Sequence, residues 1–192
     1  MPVQPKSRQT ALDIWYRLRI ELTDVEPPVW REVLVPSGIT LPKLHSVILT
    51  VMGWEGGHLH EFQFREEAYG IPDPDWDQGV RSQNRVKLRN ALAGSKRFTY
   101  TYDFGDNWRH SVQVLEEFLP VPGTDRLRCL AGQNACPPED VGGAPGYADY
   151  LEAIAHPEHE EHEIMLSWRG PGFDPHYFDI DATNHRLAEF NI

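Results

Sequence analysis

Cysteine is scarce: the 192 residues hold two, Cys129 and Cys136. The segment Met1 to Thr10 is polar, carries Lys6 and Arg8, and has no apolar core of signal-peptide length. A reducing cytoplasm with free thiols is the expectation. Long apolar runs are also missing. The longest, Val47 to Trp54, is broken by Thr50 and Gly53 and falls well short of the roughly 20 residues a membrane-spanning helix needs. Positive charge is in deficit, with 18 Lys and Arg against 29 Asp and Glu and a net charge of −11. Such a field repels phosphate backbones at long range, so a nucleic-acid role needs a local basic patch. The candidates are Arg17 with Arg19, and Arg81, Arg85, Lys87 and Arg89, continued by Lys96 and Arg97. Solvated surface charge is the plainer account of both.

What remains is an ordinary globular balance, 40% hydrophobic and 24% charged. Aromatics at 11% argue against general disorder. Residues 1–11 read as a mobile tail and 12–192 as a single domain. Ile14, Tyr16, Leu18, Ile20 and Leu22 alternate with Trp15, Arg17, Arg19 and Glu21, the period of a half-buried strand. Val29 to Val35 reads as a second strand. Leu44, Val47, Ile48, Val51 and Met52 then form one helical stripe, with Thr40 as N-cap, Pro42 in the first turn and Gly53 as terminator.

Leu59 to Arg65 reads as a short strand with His60, Phe62 and Phe64 on one side. Glu66 to Asn84 reads as an irregular loop, and Val86 to Leu92 fits either a short helix or a strand. Lys96 to Glu116 reads as a hairpin turning at Asp103-Phe104-Gly105-Asp106-Asn107. Cys129 to Gly146 reads as a loop. Helices follow: one with Tyr147, Tyr150, Leu151 and Ile154 stopped by Pro157, one over Glu158 to Trp168, and a last one capped by Asp181 that ends near Phe190. The fold class is therefore α+β, a mixed sheet with one main helix after two strands and a helical C-terminal part.

Five segments carry a resemblance. They are Pro27-Pro28-Val29-Trp30-Arg31; Met52-Gly53-Trp54 with His58-Leu59-His60-Glu61-Phe62; Tyr102 to His110; Cys129 and Gly132 through Cys136-Pro137-Pro138-Glu139-Asp140-Val141-Gly142-Gly143 to Gly146-Tyr147; and Phe173-Asp174-Pro175 with Phe178-Asp179. Together, in this order, they resemble the plasmid pRiA4b ORF-3-like family. The resemblance implies a prokaryotic protein linked to plasmids or insertion elements. Some relatives carry a transposon-resolvase label, which implies DNA binding. The chain departs from the family pattern at Val141, where many relatives have a Cys, and at His176, where an acidic residue is more typical.

The chemistry of a recombinase does not follow. A serine recombinase needs a nucleophilic Ser beside arginines, and no Ser directly follows Tyr16-Arg17-Leu18-Arg19-Ile20, the nearest being Ser7 in the tail and Ser37 in a turn. The His-x-x-Arg pattern of a tyrosine recombinase is not found, nor a basic recognition helix.

Other candidate sites remain. His58 and His60 are two apart, which on a strand points them the same way, and such a pair can hold a divalent metal. Asp103, Asp106 and His110 lie at one hairpin and could complete the set. The plainer account is that the two carboxylates fix the turn and that His110 is a hydrogen-bonded core residue. Cys129 and Cys136 lack tight zinc-knuckle spacing. Pro137, Pro138, Glu139, Asp140, Gly142, Gly143 and Tyr147 form either a rigid helix entry or a partner-binding loop. His156, His159 and His162 sit among four glutamates and read as a solvated acidic face.

Three functions are consistent with this: a non-catalytic module binding protein or DNA, a metal-dependent enzyme using the His/Asp set, and a scaffold without ligand.

Overall fold

The computed structural model describes residues 14–72, 79–121 and 126–190. The tail expected over 1–11 lies outside them. Among the described residues, eight strands form one mixed sheet in the order β5-β4-β3-β6-β7-β1-β2-β8. Strand β1 (Trp15–Leu22) pairs antiparallel with β2 (Trp30–Pro36) on one side and β7 (Trp108–Phe118) on the other. Strand β3 (His60–Phe64) lies between β4 (Glu67–Gly70) and β6 (Arg97–Tyr102), and β6 pairs with β7 as the expected hairpin. The fold class is α+β, as the sequence predicts.

Alternation explains the core. Leu18, Ile20 and Leu22 from β1, Phe62 and Phe64 from β3, Phe98, Tyr100 and Tyr102 from β6, and Trp108, His110, Val112 and Val114 from β7 are all buried. Helix α1 (Leu41–Met52) closes over the core with Leu41, Leu44, Val47, Ile48, Leu49, Val51 and Met52. Gly53 ends it in the left-handed region at φ 93°, which glycine enters without a Cβ penalty. Thr40 stands at the N-cap with an extended backbone, but its side chain makes no capping bond.

Several expectations need correction. The stretch expected to be irregular over Glu66 to Asn84 contains β4 and β5 (Val80–Ser82), which pair in parallel, the one such pair among the described residues. Runs of four and three residues are too short to show a period. Val86 to Leu92 resolves as a short helix, α2 (Leu88–Leu92). The loop expected over Cys129 to Gly146 begins with β8 (Arg128–Gln133), and α3 (Gly143–Ala155) starts before Tyr147. Helix α4 (His162–Arg169) is shorter than expected. Asp179, not Asp181, caps α5 (Ile180–Leu187), its carboxylate accepting from the Ala182 N–H.

Strand β8 is an edge of the sheet, and α5 covers it. Asn184 places its side-chain amide against the ladder like one more peptide unit. Its Oδ1 accepts from the Cys129 N–H at 2.8 Å, and its Nδ2 donates to the Cys129 carbonyl at 3.0 Å. Unpaired edge groups are satisfied in this way without another strand.

Below the other end of β2, Arg31 is 1% exposed. Its Nε donates to the Val51 carbonyl, its NH1 to those of Trp30 and Gln133, and its NH2 to that of Asn134, all between 2.8 and 2.9 Å. The guanidinium lies 3.7 Å from the Phe178 ring centroid. One planar fork thus joins β2, α1, the loop after β8 and the segment before α5. The second residue of the Trp30-Arg31 pair is a fastener of the fold.

Candidate functional site

Three segments meet at one end of the sheet: Trp54 to His58, the hairpin turn Asp103 to Asn107, and the loop Pro137 to Gly143. Gly56 and Gly57 take φ values of 93° and 119°, which swings the chain off α1 before β3 begins. The turn places its left-handed residues at Asp103 and Asn107, both at φ 56°, rather than at Gly105. Asp and Asn tolerate this region because their side chains bond the local backbone. Asp103 Oδ1 accepts from the Gly105 N–H at 2.9 Å.

Glu139 binds the three segments together. Its carboxylate accepts from the Glu55 N–H at 2.9 Å, the Gly56 N–H at 3.3 Å and the Tyr102 hydroxyl at 2.7 Å. Burial, then the hydrogen bond to Glu139 and its charge, raises the Tyr102 phenol well above its ordinary range. The Trp54 indole N–H donates to the Pro137 carbonyl at 2.9 Å. Asp106 accepts from the Gly142 N–H at 3.2 Å. Any Cβ at Gly143 would stand 2.5 Å from the Asp106 carbonyl oxygen, so only glycine lets the two loops approach this closely. Hydrogen bonds to a charged group contribute roughly 1.5–3 kcal/mol. We therefore expect Glu139→Ala to destabilise the protein by about 2 kcal/mol and to speed amide exchange at Glu55 and Gly56. Unchanged exchange at those two positions would show that the loops are held otherwise.

On this platform His58 sits between two carboxylates. Its Nδ1 is 3.4 Å from Asp103 Oδ2, and its Nε2 is 3.4 Å from Asp140 Oδ1. One ligand atom from each of the three residues falls within 4.8 Å of the others, and a metal bound there would need His58 neutral. Asp140 stands at φ 61° and is exposed. A cleft of about 310 Å³ adjoins it, lined by Trp54, Glu55, Pro138, Glu139, Asp140 and Trp168 among others.

The structure separates the expected metal set. His60 does not share a side with His58, because β3 begins at His60 and the positive φ values before it break the alternation. His60 is buried, stacked on His45 at 3.6 Å between ring centroids. Its Nε2 meets Gln83 Oε1 at 3.0 Å, and His45 Nδ1 meets the Tyr100 hydroxyl at 2.7 Å. Burial, then the neighbouring His60, holds His45 down to about 3, and burial also lowers His60. His110 is fully buried, edge-on to Trp54, with Nδ1 facing the Tyr100 carbonyl at 3.2 Å. Burial holds it down to about 4. Asp106 serves the loop contact with Gly142 instead. His45 and Gln83 are not legible as partners from sequence, since a lone His inside a helical stripe gives no signal of what it stacks on.

The loop residues divide as well. Asp140 faces solvent, whereas Pro137, Pro138 and Tyr147 are buried and support the platform. Gly142 is the N-cap of α3 at φ 95°. Arg81, Arg85, Lys87 and Arg89 are all exposed, but Arg81 is paired with Glu67 at 2.7 Å, and Arg85 occupies a left-handed turn at φ 64°. Burial pushes the Cys129 thiol up to about 11 and Cys136 higher still, so neither is poised as a thiolate.

The fold is thus an α+β sheet closed at one end by three interlocked loops. The chain belongs to the plasmid pRiA4b ORF-3-like family, whose pattern matches residues 15–182. It is 45% identical over 177 residues to the uncharacterized protein y4hQ of Sinorhizobium fredii (strain NBRC 101917 / NGR234), covering 91% of this chain and 88% of that one. Its structure resembles that of MM3350 from Methanosarcina mazei Go1, described as a protein of unknown function. That likeness has a TM-score of 0.81 at 35% identity, covering 89% of this chain and 98% of the other. Among the described residues no helix is long and apolar enough to cross a membrane.

Proposed function

We propose that the protein is a non-catalytic binding module, a single domain over residues 12–192, that engages a protein partner through the loop platform. The observation that carries this reading is the exposure of Leu59 and Phe104, at 54% and 49%, on loops that Glu139 and Asp106 hold in place. Large apolar groups on preorganised loops lose little entropy on binding. The net charge of −11 disfavours bare DNA as the partner. The plasmid origin of the family supports a role in plasmid or mobile-element biology, with the cytoplasm as its site.

A photo-crosslinking aromatic amino acid placed at Phe104 should capture one discrete partner in host cells, and Asp140→Asn, which suits the left-handed backbone at φ 61°, should weaken the adduct while leaving the unfolding midpoint unchanged. Background labelling alone at that position would refute the platform as the docking face.

The geometry of His58, Asp103 and Asp140 favours a second reading, a divalent-metal site that could serve an enzyme. Nitrogen and carboxylate donors suit zinc, manganese or iron. Elemental analysis of untagged protein should then find about one equivalent, lost in His58→Ala. Absence of metal after incubation with its salts would remove this reading.

A further inference from the structure

The net charge is not spread evenly. Residues 137–192 contain twelve acidic and two basic residues, a net −10, so the remaining 136 residues are close to neutral at −1. This acidic third includes the Pro137–Gly143 loop and α4. None of the eight α4 residues is fully buried. Ile164 and Trp168, four apart and therefore on one face, are 63% and 47% exposed. Trp168 is braced from behind, its ring edge-on to buried Tyr150 at 5.9 Å. Trp168 also lines the cleft that reaches Glu55, Glu139 and Asp140, where among the described residues Arg169 is the one Lys or Arg in the lining. The turn leading into α4 exposes Glu158, Glu160 and Glu161, and Glu163 follows in its first turn.

We propose that the α4 face and its adjoining cleft dock a basic amphipathic segment of a protein partner. Its apolar side chains would rest on Ile164 and Trp168, and its Lys or Arg side chains would face Glu55, Asp140 and the glutamates before α4. The inference rests on the reading of the protein as a binding module and names the partner's chemistry. Charge complementarity chooses the occupant. A second copy would bring one acidic face against another, and a nucleic acid would bring phosphates to it. Helix α4 spans about 12 Å, so the apolar stripe matches about two turns of a partner helix.

The probe is an 18-residue fluorescein-labelled peptide with Leu at helical i, i+3, i+4 and i+7 spacing and Lys elsewhere, titrated at low salt and read by anisotropy. Trp168→Ala combined with Ile164→Ala should weaken binding at least tenfold while a cooperative unfolding transition persists, and Ile164→Ala alone, at a side chain 63% exposed, should weaken it severalfold with the unfolding midpoint unchanged. Replacing every Lys by Glu, or scrambling the sequence at constant composition, should weaken it by a similar factor. Undetectable binding, equal binding of the scrambled peptide, or an indifferent double variant would each overturn the proposal. The Phe104 crosslink tests the module itself. An adduct there with a failed peptide leaves the module standing with a partner of other chemistry.

Discussion

Lowering the pH from 7 to 4.5 is expected to cost the protein several kcal/mol of stability. His110, held at about 4 by complete burial, is faced by Tyr100 and Trp54. His45, held at about 3, is faced by His60, Tyr100 and Tyr102. In an unfolded chain each imidazole titrates near 6.5. Below that pH the unfolded state takes up protons that the folded state refuses, so stability falls as pH falls. The loss begins near pH 6.5 and continues down to the folded-state values. At about 1.36 kcal/mol per pH unit, His110 alone accounts for about 2–3 kcal/mol at pH 4.5. His45, partly exposed, and His60 add to it in the same direction. Urea unfolding at a series of pH values reads the slope. His110→Gln keeps a polar group in place but cannot charge, so its stability at pH 7 should drop while its slope flattens by about one proton. A wild-type slope near zero between pH 6.5 and 4.5 would refute the account.

Removing the Arg31 guanidinium should be at least as damaging. Arg31→Met leaves the carbonyls of Val51, Gln133 and Asn134 without their donor and takes the charge from over Phe178. Buried polar groups stranded in this way cost about 1–3 kcal/mol each. Relaxation and water entry reduce the sum, so a loss of about 3–5 kcal/mol is expected, near 10 °C in melting temperature for a chain of this size. Arg31→Lys is the sharper test. An ammonium keeps the charge but lacks the planar fork that spans four carbonyls. A Lys variant within about 1 kcal/mol of the parent would mean that charge, not the fork, fastens these elements.

Much of this architecture is legible in the chain. The stripe from Leu44 to Met52 and the alternations around Leu18 and Tyr100 each extend over enough residues for period to identify the element. Strands β4, β5 and β8 do not. Two are too short to have a period, and β8 carries Gly132 and Gln133 where a strand usually carries branched apolar residues. The site divides along the same line. His58 and Asp103 could be paired in sequence because both flank the sheet end. Asp140 lies 37 residues beyond Asp103, and only the folded loop brings it to His58. The pairing of His58 with His60 failed because alternation holds only inside a strand, and β3 starts one residue after Leu59.

The covering of β8 by α5 has a further consequence. Asn184 occupies the hydrogen-bonding groups of Cys129, so the β8 border is closed at that point, while the other border, at β5, is three residues long and too brief to template much growth. Both features disfavour pairing with a strand of another copy, at Cys129 and along β5. At Cys129 a second copy's strand would find the peptide group already taken by a side chain of its own molecule.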